Sequence, residues 1–319
     1  MLSRTADNLF WLARYMERAD FLARIVEATQ RLAALPDSYS DTGTEWESAL
    51  EASGAAEGFR ESKVALEEAN VVEYLTFAAD NPSSIRNCIE NARANARSVR
   101  TALTGEVWES INGAWIELKR FEKSNLACGR YDREDLSNFL DFVKRISLDH
   151  DGAFHRTMLR NEAYWFSRLG LYIERADNTA RILDVKYHVL LPQTEAVGGS
   201  LDYFQWTAIL RAVSALTAYH WVYREGVKPW LIADLLICRM EMPRSLIACY
   251  VNLARFLDEI GKSDAAPGAA QKQAHDMVAR LRQVTMDNIV KVGLHEFITD
   301  FVEDNSRLGE TISAQYLLF

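Results

Sequence analysis

One eleven-residue segment occurs twice in this chain, and that repetition constrains the fold more than any other feature. Tyr15-Met16-Glu17-Arg18-Ala19-Asp20-Phe21-Leu22-Ala23-Arg24-Ile25 returns 157 residues later as Tyr172-Ile173-Glu174-Arg175-Ala176-Asp177-Asn178-Thr179-Ala180-Arg181-Ile182, with eight of eleven positions identical. At nearly the same spacing, Trp46 and Leu50 match Trp206 and Leu210. Pro82, Ser84, Cys88 and Asn91 match Pro243, Ser245, Cys249 and Asn252, and Phe139-Leu140-Asp141-Phe142-Val143 sits beside Ile298-Thr299-Asp300-Phe301-Val302. Internal similarity of this kind predicts two similar halves, about 1–150 and 151–319. A repeated set of helices usually buries its apolar faces against its copy, so one pseudo-two-fold bundle is favoured over two separate domains.

The periodicity is helical. Proline falls only at positions 36, 82, 192, 229, 243 and 267, leaving long uninterrupted stretches. In residues 8–30, Leu9, Leu12, Met16, Ala19, Ala23 and Val26 form one stripe at the spacing of an amphipathic helix. Residues 82–103 repeat the pattern with Ile85, Ile89, Ala92, Ala96, Val99 and Leu103. That helix is expected to open at Asn81-Pro82, with Asn as cap and Pro in the first turn. Nothing alternates with period two long enough for a sheet, so the expected fold class is all-α.

Composition bounds the function. The 319 residues are 49% apolar, too apolar for a disordered chain, and the net charge of −9 argues against a general nucleic-acid binder, which needs a basic face. The N-terminal residues lack the apolar run of a signal peptide, and the most apolar stretch, Trp230 to Cys238, is interrupted by Asp234 and too short to span a bilayer. A soluble cytoplasmic protein with no membrane association is expected. Cys88, Cys128, Cys238 and Cys249 are scattered, which indicates neither a zinc site nor a disulfide framework, and Cys88 and Cys249 read as reduced core thiols. Among the basic residues, 27 are Arg and nine Lys. Genome composition can inflate Arg everywhere, but it does not place Arg24 and Arg181 at the same point of a repeat.

The repeated segment separates its charges. At about 100° per residue, Glu17, Asp20 and Arg24 fall on one flank of the stripe with Ala13, and Arg18 falls near the opposite side. Glu174, Asp177 and Arg181 form the same flank in the second copy, with Gly170 in place of Ala13. A small residue there lets another helix or a ligand come close to the backbone. Arg86, Arg93, Arg97 and Arg100 share a face of the second helix, with only Glu90 among them, and require carboxylates or an anionic ligand opposite. In the first reading, Glu17, Glu174 and their neighbours are those carboxylates, and the motif is an Arg–carboxylate network locking the halves together. In the second, leftover Arg forms a site for an anion or peptide. A two-carboxylate metal site is a poor fit, because neither motif has the His three residues on that di-iron bundles use. No metal and no cofactor is therefore expected.

Catalytic machinery is not visible, and no catalytic residue is assigned. His150 and His155 are loosely spaced for a metal pair, Asp151-Gly152 between them suggests a loop, and the six His read as ordinary surface or interface residues. Gly198-Gly199-Ser200 lacks the Lys of a phosphate loop, and no Gly-x-Ser-x-Gly nucleophile elbow exists. Trp11, Trp46, Trp108, Trp165 and Trp206 fall in helical segments and read as core.

Several of these residues carry a family resemblance. Met1-Leu2-Ser3-Arg4-Thr5-Ala6-Asp7-Asn8-Leu9-Phe10-Trp11, followed by Arg14-Tyr15-Met16-Glu17-Arg18-Ala19, resembles the bacterial alpha-E domain family. Asn81-Pro82-Ser83-Ser84-Ile85, the run Ala92-Arg93-Ala94-Asn95-Ala96-Arg97 with Glu106-Val107-Trp108, and Pro243-Arg244-Ser245 resemble further signatures of it, so the match spans essentially the whole chain. The resemblance implies an all-helical fold with characteristic Glu and Arg positions. It also implies the company of ATP-grasp ligase-like and transglutaminase-like proteins, hence a role in forming, modifying or turning over peptide amide bonds. The chain would then be a non-catalytic partner or a substrate-binding component. The alternative is an enzyme on a peptide or amide substrate, with Glu17 or Glu174 as acid/base and Arg93 or Arg97 holding a carboxylate or phosphate. Three positions depart from the family pattern. Ala94 stands where Glu is common, Leu171 replaces the Arg expected after Gly170, and Ala13 replaces a usual Gly. Oligomeric state is left open.

Overall fold

The computed structural model describes residues 1–34, 44–123, 132–189, 200–263 and 267–317. Among them are fifteen α-helices and no strand. The first seven are α1 (Ser3–Ala33), α2 (Thr44–Ala52), α3 (Ala56–Ser62), α4 (Glu68–Thr76), α5 (Ile85–Ser98), α6 (Gly105–Phe121) and α7 (Arg133–Thr157). The rest are α8 (Glu162–Val189), α9 (Ser200–Ala212), α10 (Leu216–Tyr223), α11 (Pro229–Cys238), α12 (Leu246–Ile260), α13 (Ala269–Gln283), α14 (Met286–Val292) and α15 (Leu294–Tyr316). Short 3-10 turns follow α5 at Arg100–Ala102 and α12 at Gly261–Ser263. No helix among the described residues is long and apolar enough to cross a membrane. Pro36, Cys128, Pro192 and Gly198-Gly199 lie outside the described residues, as does the side chain of His188.

The two helices that carry the repeated segment pack against each other at the centre. α1 is buried on most of its circumference, because the stripe of Leu9, Leu12, Met16, Ala19, Ala23 and Val26 is joined by Phe10, Ala13, Phe21, Leu22 and Ile25. It is therefore a core helix and not the one-sided amphipathic helix expected, and its charged flank goes inside with it. Around it lie α8, α5, α7 and α9, and around α8 lie α12, α15 and α2. The approach of α8 to α1 depends on Gly170. A Cβ there would lie 2.1 Å from the carbonyl oxygen of Phe10, a separation no two such atoms tolerate.

Local boundaries differ from expectation in two places. α5 begins at Ile85 and not at Pro82, with Ser84 as its cap accepting from the Asn87 N–H at 3.3 Å. Asn81 serves the preceding turn, its Oδ1 accepting from Ser83 N–H and its amide donating to the Tyr74 carbonyl at 2.9 Å. Ser245 caps α12 in the same way, accepting from Ala248 N–H at 3.1 Å. The second difference is at Asp151-Gly152, which is helical within α7. The stripe of Phe139, Val143, Ile146, His150 and Phe154 carries the helix through the glycine, since burial of a continuous face outweighs a single unfavourable propensity of about 1 kcal/mol. Residue 150 is thus inside a helix, and α7 and α8 are joined by a turn at 158–161.

Candidate functional site

Adjacent residues on a helix point about 100° apart, so Glu17 cannot meet Arg18, nor Glu174 Arg175. Each Glu instead takes the Arg of the other segment. Arg175 donates to Glu17 twice, through Nε at 2.9 Å and Nη2 at 2.8 Å. Arg18 donates to Glu174 through Nε at 2.5 Å and Nη2 at 3.1 Å. The exchange crosses between α1 and α8 in both directions, with the planar fork of Arg matched to the two oxygens of a carboxylate.

A second guanidinium completes each pair, and its origin differs. Arg14 Nε reaches Glu174 at 2.8 Å from α1 itself, its guanidinium lying 4.6 Å from the Trp11 ring centre. The position of Arg14 in the other copy is Leu171, which cannot do the same. Arg244, just before α12, supplies the missing charge, donating to Glu17 at 2.6 Å and to Asp20 at 2.9 Å. The residue aligned with Arg244 in the first half is Ser83, whose hydroxyl accepts from Arg18 at 3.2 Å. Each carboxylate is therefore held by two Arg, one from the opposite segment and one from wherever the local sequence provides it.

These contacts fix the electrostatics. Glu17 and Glu174 are 3% and 2% exposed. Burial pushes the Glu17 carboxyl up, but Arg175 and Arg244 overcome it and hold it at about 2. Glu174 is likewise raised by burial and brought below the ordinary glutamate range by Arg18 and Arg14. Desolvation opposes the charge on Arg175 and Arg18, and their glutamates more than restore it. A carboxylate this acidic is ionised at neutral pH and a poor proton acceptor, the opposite of the tuning acid/base work needs.

The remaining predicted residues divide. Asp20 and Arg24 bond at 2.8 Å, and Asp177 and Arg181 at 2.6 Å, each pair one turn apart on its helix. Arg24 continues to the Ser214 hydroxyl at 2.7 Å, and Arg181 lies against Gly54. Gly54 and Ser214 both adopt positive φ and stand 160 residues apart. The arginines on and after α5 do not face Glu17 or Glu174, contrary to the first reading. Arg86 pairs with Glu122 at 2.6 Å, Arg93 donates to Asn112 at 2.9 Å and stacks 3.9 Å from the Trp115 ring centre, and Arg100 lies 5.3 Å from that of Trp108. Arg97 is exposed and Asn95 half-buried. Helix α6 supplies the partners Asn112 and Trp115, and an α6 fold-back is what a face count along one helix cannot reveal. Helical-face spacing does not single out Arg14, Arg18, Arg175 and Arg244 as partners of the glutamates. The usable signal was that Glu-Arg is repeated as a dipeptide whose members cannot bond each other.

Other expectations are also placed. His150, expected as a surface or interface residue beside a loop, lies within α7 at 6% exposure, and burial lowers its pKa to about 4. His155 meets the Tyr164 hydroxyl at 3.1 Å, and His275 meets Asp258 at 2.9 Å. Cys88 and Cys249 are free and buried, and burial pushes both thiols up to about 12. Trp46 and Trp206 are buried, whereas Trp11, Trp108 and Trp165 are partly so. Ala94 is exposed on α5. Among the described residues no three His, Cys, Asp or Glu side chains converge as metal ligands.

Residues 1–317 match a family model named Alpha-E, described as a predicted alpha-helical domain with a conserved ER motif. Glu-Arg occurs twice here, at 17–18 and 174–175, and these are the residues exchanged between α1 and α8. No curated protein and no solved structure matches the chain.

Proposed function

We propose a function from one premise: the chain belongs to the alpha-E family. It acts as a non-catalytic helical binding component of a system that forms, modifies or turns over peptide amide bonds. It works there beside an ATP-grasp ligase-like or transglutaminase-like protein. The observation that carries the non-catalytic part is the commitment of Glu17 and Glu174 to two guanidiniums each. Carboxylates so engaged hold helices together and have no spare lone pair basic enough to take a substrate proton.

In this reading the chain is two helical halves about a pseudo-two-fold axis that passes between α1 and α8. The packing supports it. α1 lies on α5 as α8 lies on α12, α6 joins α5 and α7 as α13 joins α12 and α15, and α2 packs on α8 while α9 packs on α1. The reciprocal Glu–Arg exchange runs along the same line.

The partner would meet the second half. Trp221 on α10 is 76% exposed and Trp230 on α11 is 52% exposed, with Val222 also open. At the spacing that relates Pro82 to Pro243, Trp221 and Val222 align with Arg60 and Glu61, and Trp230 with Ala69. Large apolar side chains left in water on one half and replaced by charged or small ones on the other favour a protein-contact role. Co-expression with an ATP-grasp protein encoded beside it tests the reading. The pair should co-purify, and Trp221→Ala with Trp230→Ala should abolish this while leaving the fold intact. A monomer that binds neither ligase nor peptide would sink the proposal.

A further inference from the structure

The seam between α5 and α6 is closed by ion pairs at one end and left open at the other. Its contacts run antiparallel: Arg86 meets Glu122, Glu90 meets Lys119, Arg93 meets Trp115 and Asn112, and Arg100 meets Trp108. At the first end Arg86 and Lys119 share Glu90 and Glu122. Beyond Glu90 the carboxylates stop. Arg93, Arg97 and Arg100 follow within about two turns, and among the described residues none of them enters an ion pair. Glu106 and Glu109, at the start of α6, reach none of the three.

What holds these arginines is aromatic and neutral. Arg93 gives its Nε to the Asn112 side-chain oxygen at 2.9 Å and lies 3.9 Å from the Trp115 ring centre, which leaves both of its Nη groups to be taken. Arg100 lies 5.3 Å from the Trp108 ring centre, and its Nη1 touches the Leu103 carbonyl at 3.5 Å. Arg97, one turn after Arg93, is exposed and has no hydrogen bond among the described residues. A guanidinium laid on an indole is held in place while its in-plane N–H groups stay available, so the forks are set before a ligand arrives.

Packing of the two helices does not require this row. At the spacing that relates Pro82 to Pro243, Arg93, Arg97 and Arg100 align with Ala254, Asp258 and Gly261. α12 packs on α13 without it, and Asp258 there meets His275 at 2.9 Å. Like charges one turn apart repel, and a chain of net charge −9 has carboxylates to spare that could have been placed against them.

Spacing and ring cover select the occupant. Helical rise sets the first and last of these arginines about 10 Å apart along the seam, too far for one carboxylate or one phosphate to meet all three. An extended segment with acids at alternate residues presents carboxylates about 7 Å apart on one side, and two of them reach along the row. A nucleic-acid strand would need open ring faces for its bases. Here guanidiniums lie over Trp108 and Trp115, and both indoles are packed against the core.

We propose that the α5–α6 seam around Arg93, Arg97 and Arg100 docks an acidic, extended segment of a partner protein. The proposal goes beyond the reading above, because this contact needs neither a ligase nor Trp221 and Trp230. Its test uses the chain alone, so its failure is distinguishable from a failure to co-purify. Fluorescence anisotropy of the full chain with a labelled peptide carrying Glu at alternate positions is the measurement. Saturable binding with a dissociation constant below about 100 μM at low salt is expected. The matching Gln peptide should bind at least about tenfold more weakly. Arg97→Glu with Arg100→Glu, both at exposed positions, should weaken the Glu peptide at least about tenfold. Arg133→Glu with Arg282→Glu makes the same charge change at exposed positions of α7 and α13, and should leave affinity within about twofold. Equal losses in the two double variants, or no saturable binding, overturn the proposal. A single-stranded oligonucleotide of the same length binding as tightly overturns it too, as does displacement of the peptide by an equal concentration of inorganic phosphate. A dimer of the chain alone that Arg97→Glu with Arg100→Glu dissolves would make the occupant a second copy and also defeat it. If that double variant does not fold, Arg97→Gln, which removes no bond within the chain, should still weaken the peptide at least about threefold, and unchanged affinity there rejects the site.

Discussion

At the scale of single residues, Glu17 shows how burial and pairing compete. Removing a carboxylate from water is expensive, and two guanidiniums at 2.6–2.9 Å are what make it tolerable. Glu17→Gln leaves half-buried Arg175 without its counter-charge and Arg244 with Asp20 alone, and should lower unfolding free energy by about 3–5 kcal/mol, read from urea denaturation. The pH profile supplies a control. The carboxyl is depressed from 4.5 to about 2, so its stabilisation is complete above the upper value and is lost as pH falls towards the lower one. The wild-type protein should therefore lose stability steeply through that window, and the Gln variant less steeply. Equal slopes would mean that Glu17 is not the group being titrated. The same logic shows why the acid/base alternative is disfavoured here, since what stabilises the ion pair removes its basicity.

At the scale of elements, the α1–α8 contact rests on one missing side chain. The atoms a Gly170 Cβ would strike belong to the Phe10 backbone, so no rotamer change relieves the clash and the helices must separate. Gly170→Ala is expected to destabilise by about 2 kcal/mol or more. Gly113→Ala on α6, with open space at its Cβ, should be neutral or stabilising by about 0.5–1 kcal/mol through helix propensity. Thermal unfolding of the two variants makes the comparison, and equal melting points would contradict the close-approach argument. Much of this level was legible in advance. The stripes of α1 and α5 are buried at the positions their spacing gives, and Gly170 was marked as a point of close approach. The partners of Arg86, Arg93 and Arg100 were not legible, because they come from α6 and the residues beside it, and a helical face shows which side chains travel together but not what meets them. The helical path from His150 through Gly152 is not legible for a related reason. The neighbouring Asp151-Gly152 is a local turn signal, and a tertiary face of five residues overrode it.

At the scale of the whole molecule, the central question is whether the halves are independent. α8 is the principal neighbour of α1, and α9 packs on α1 while α2 packs on α8. Segments 1–158 and 159–319, expressed separately, are therefore expected to be insoluble or non-cooperative in unfolding, and to regain a single cooperative transition when co-expressed. A segment that alone gave a monodisperse, cooperatively unfolding species would show that the chain is two autonomous domains. The matching of the two segments is readable from identities alone, whereas the direction of the Glu–Arg exchange is not. A one-dimensional match cannot say whether Glu17 turns to its own copy or to the other.

That exchange has a consequence for how such a chain can change over time. Each Glu-Arg dipeptide contributes an acid to one pair and a base to the other, so losing either copy damages both. The supporting charge is less constrained, since Arg14 serves one glutamate and Arg244 the other. Substitution should thus be tolerated more readily around the seam than along it, as Arg14 and Leu171 at one position of the two matching segments illustrate.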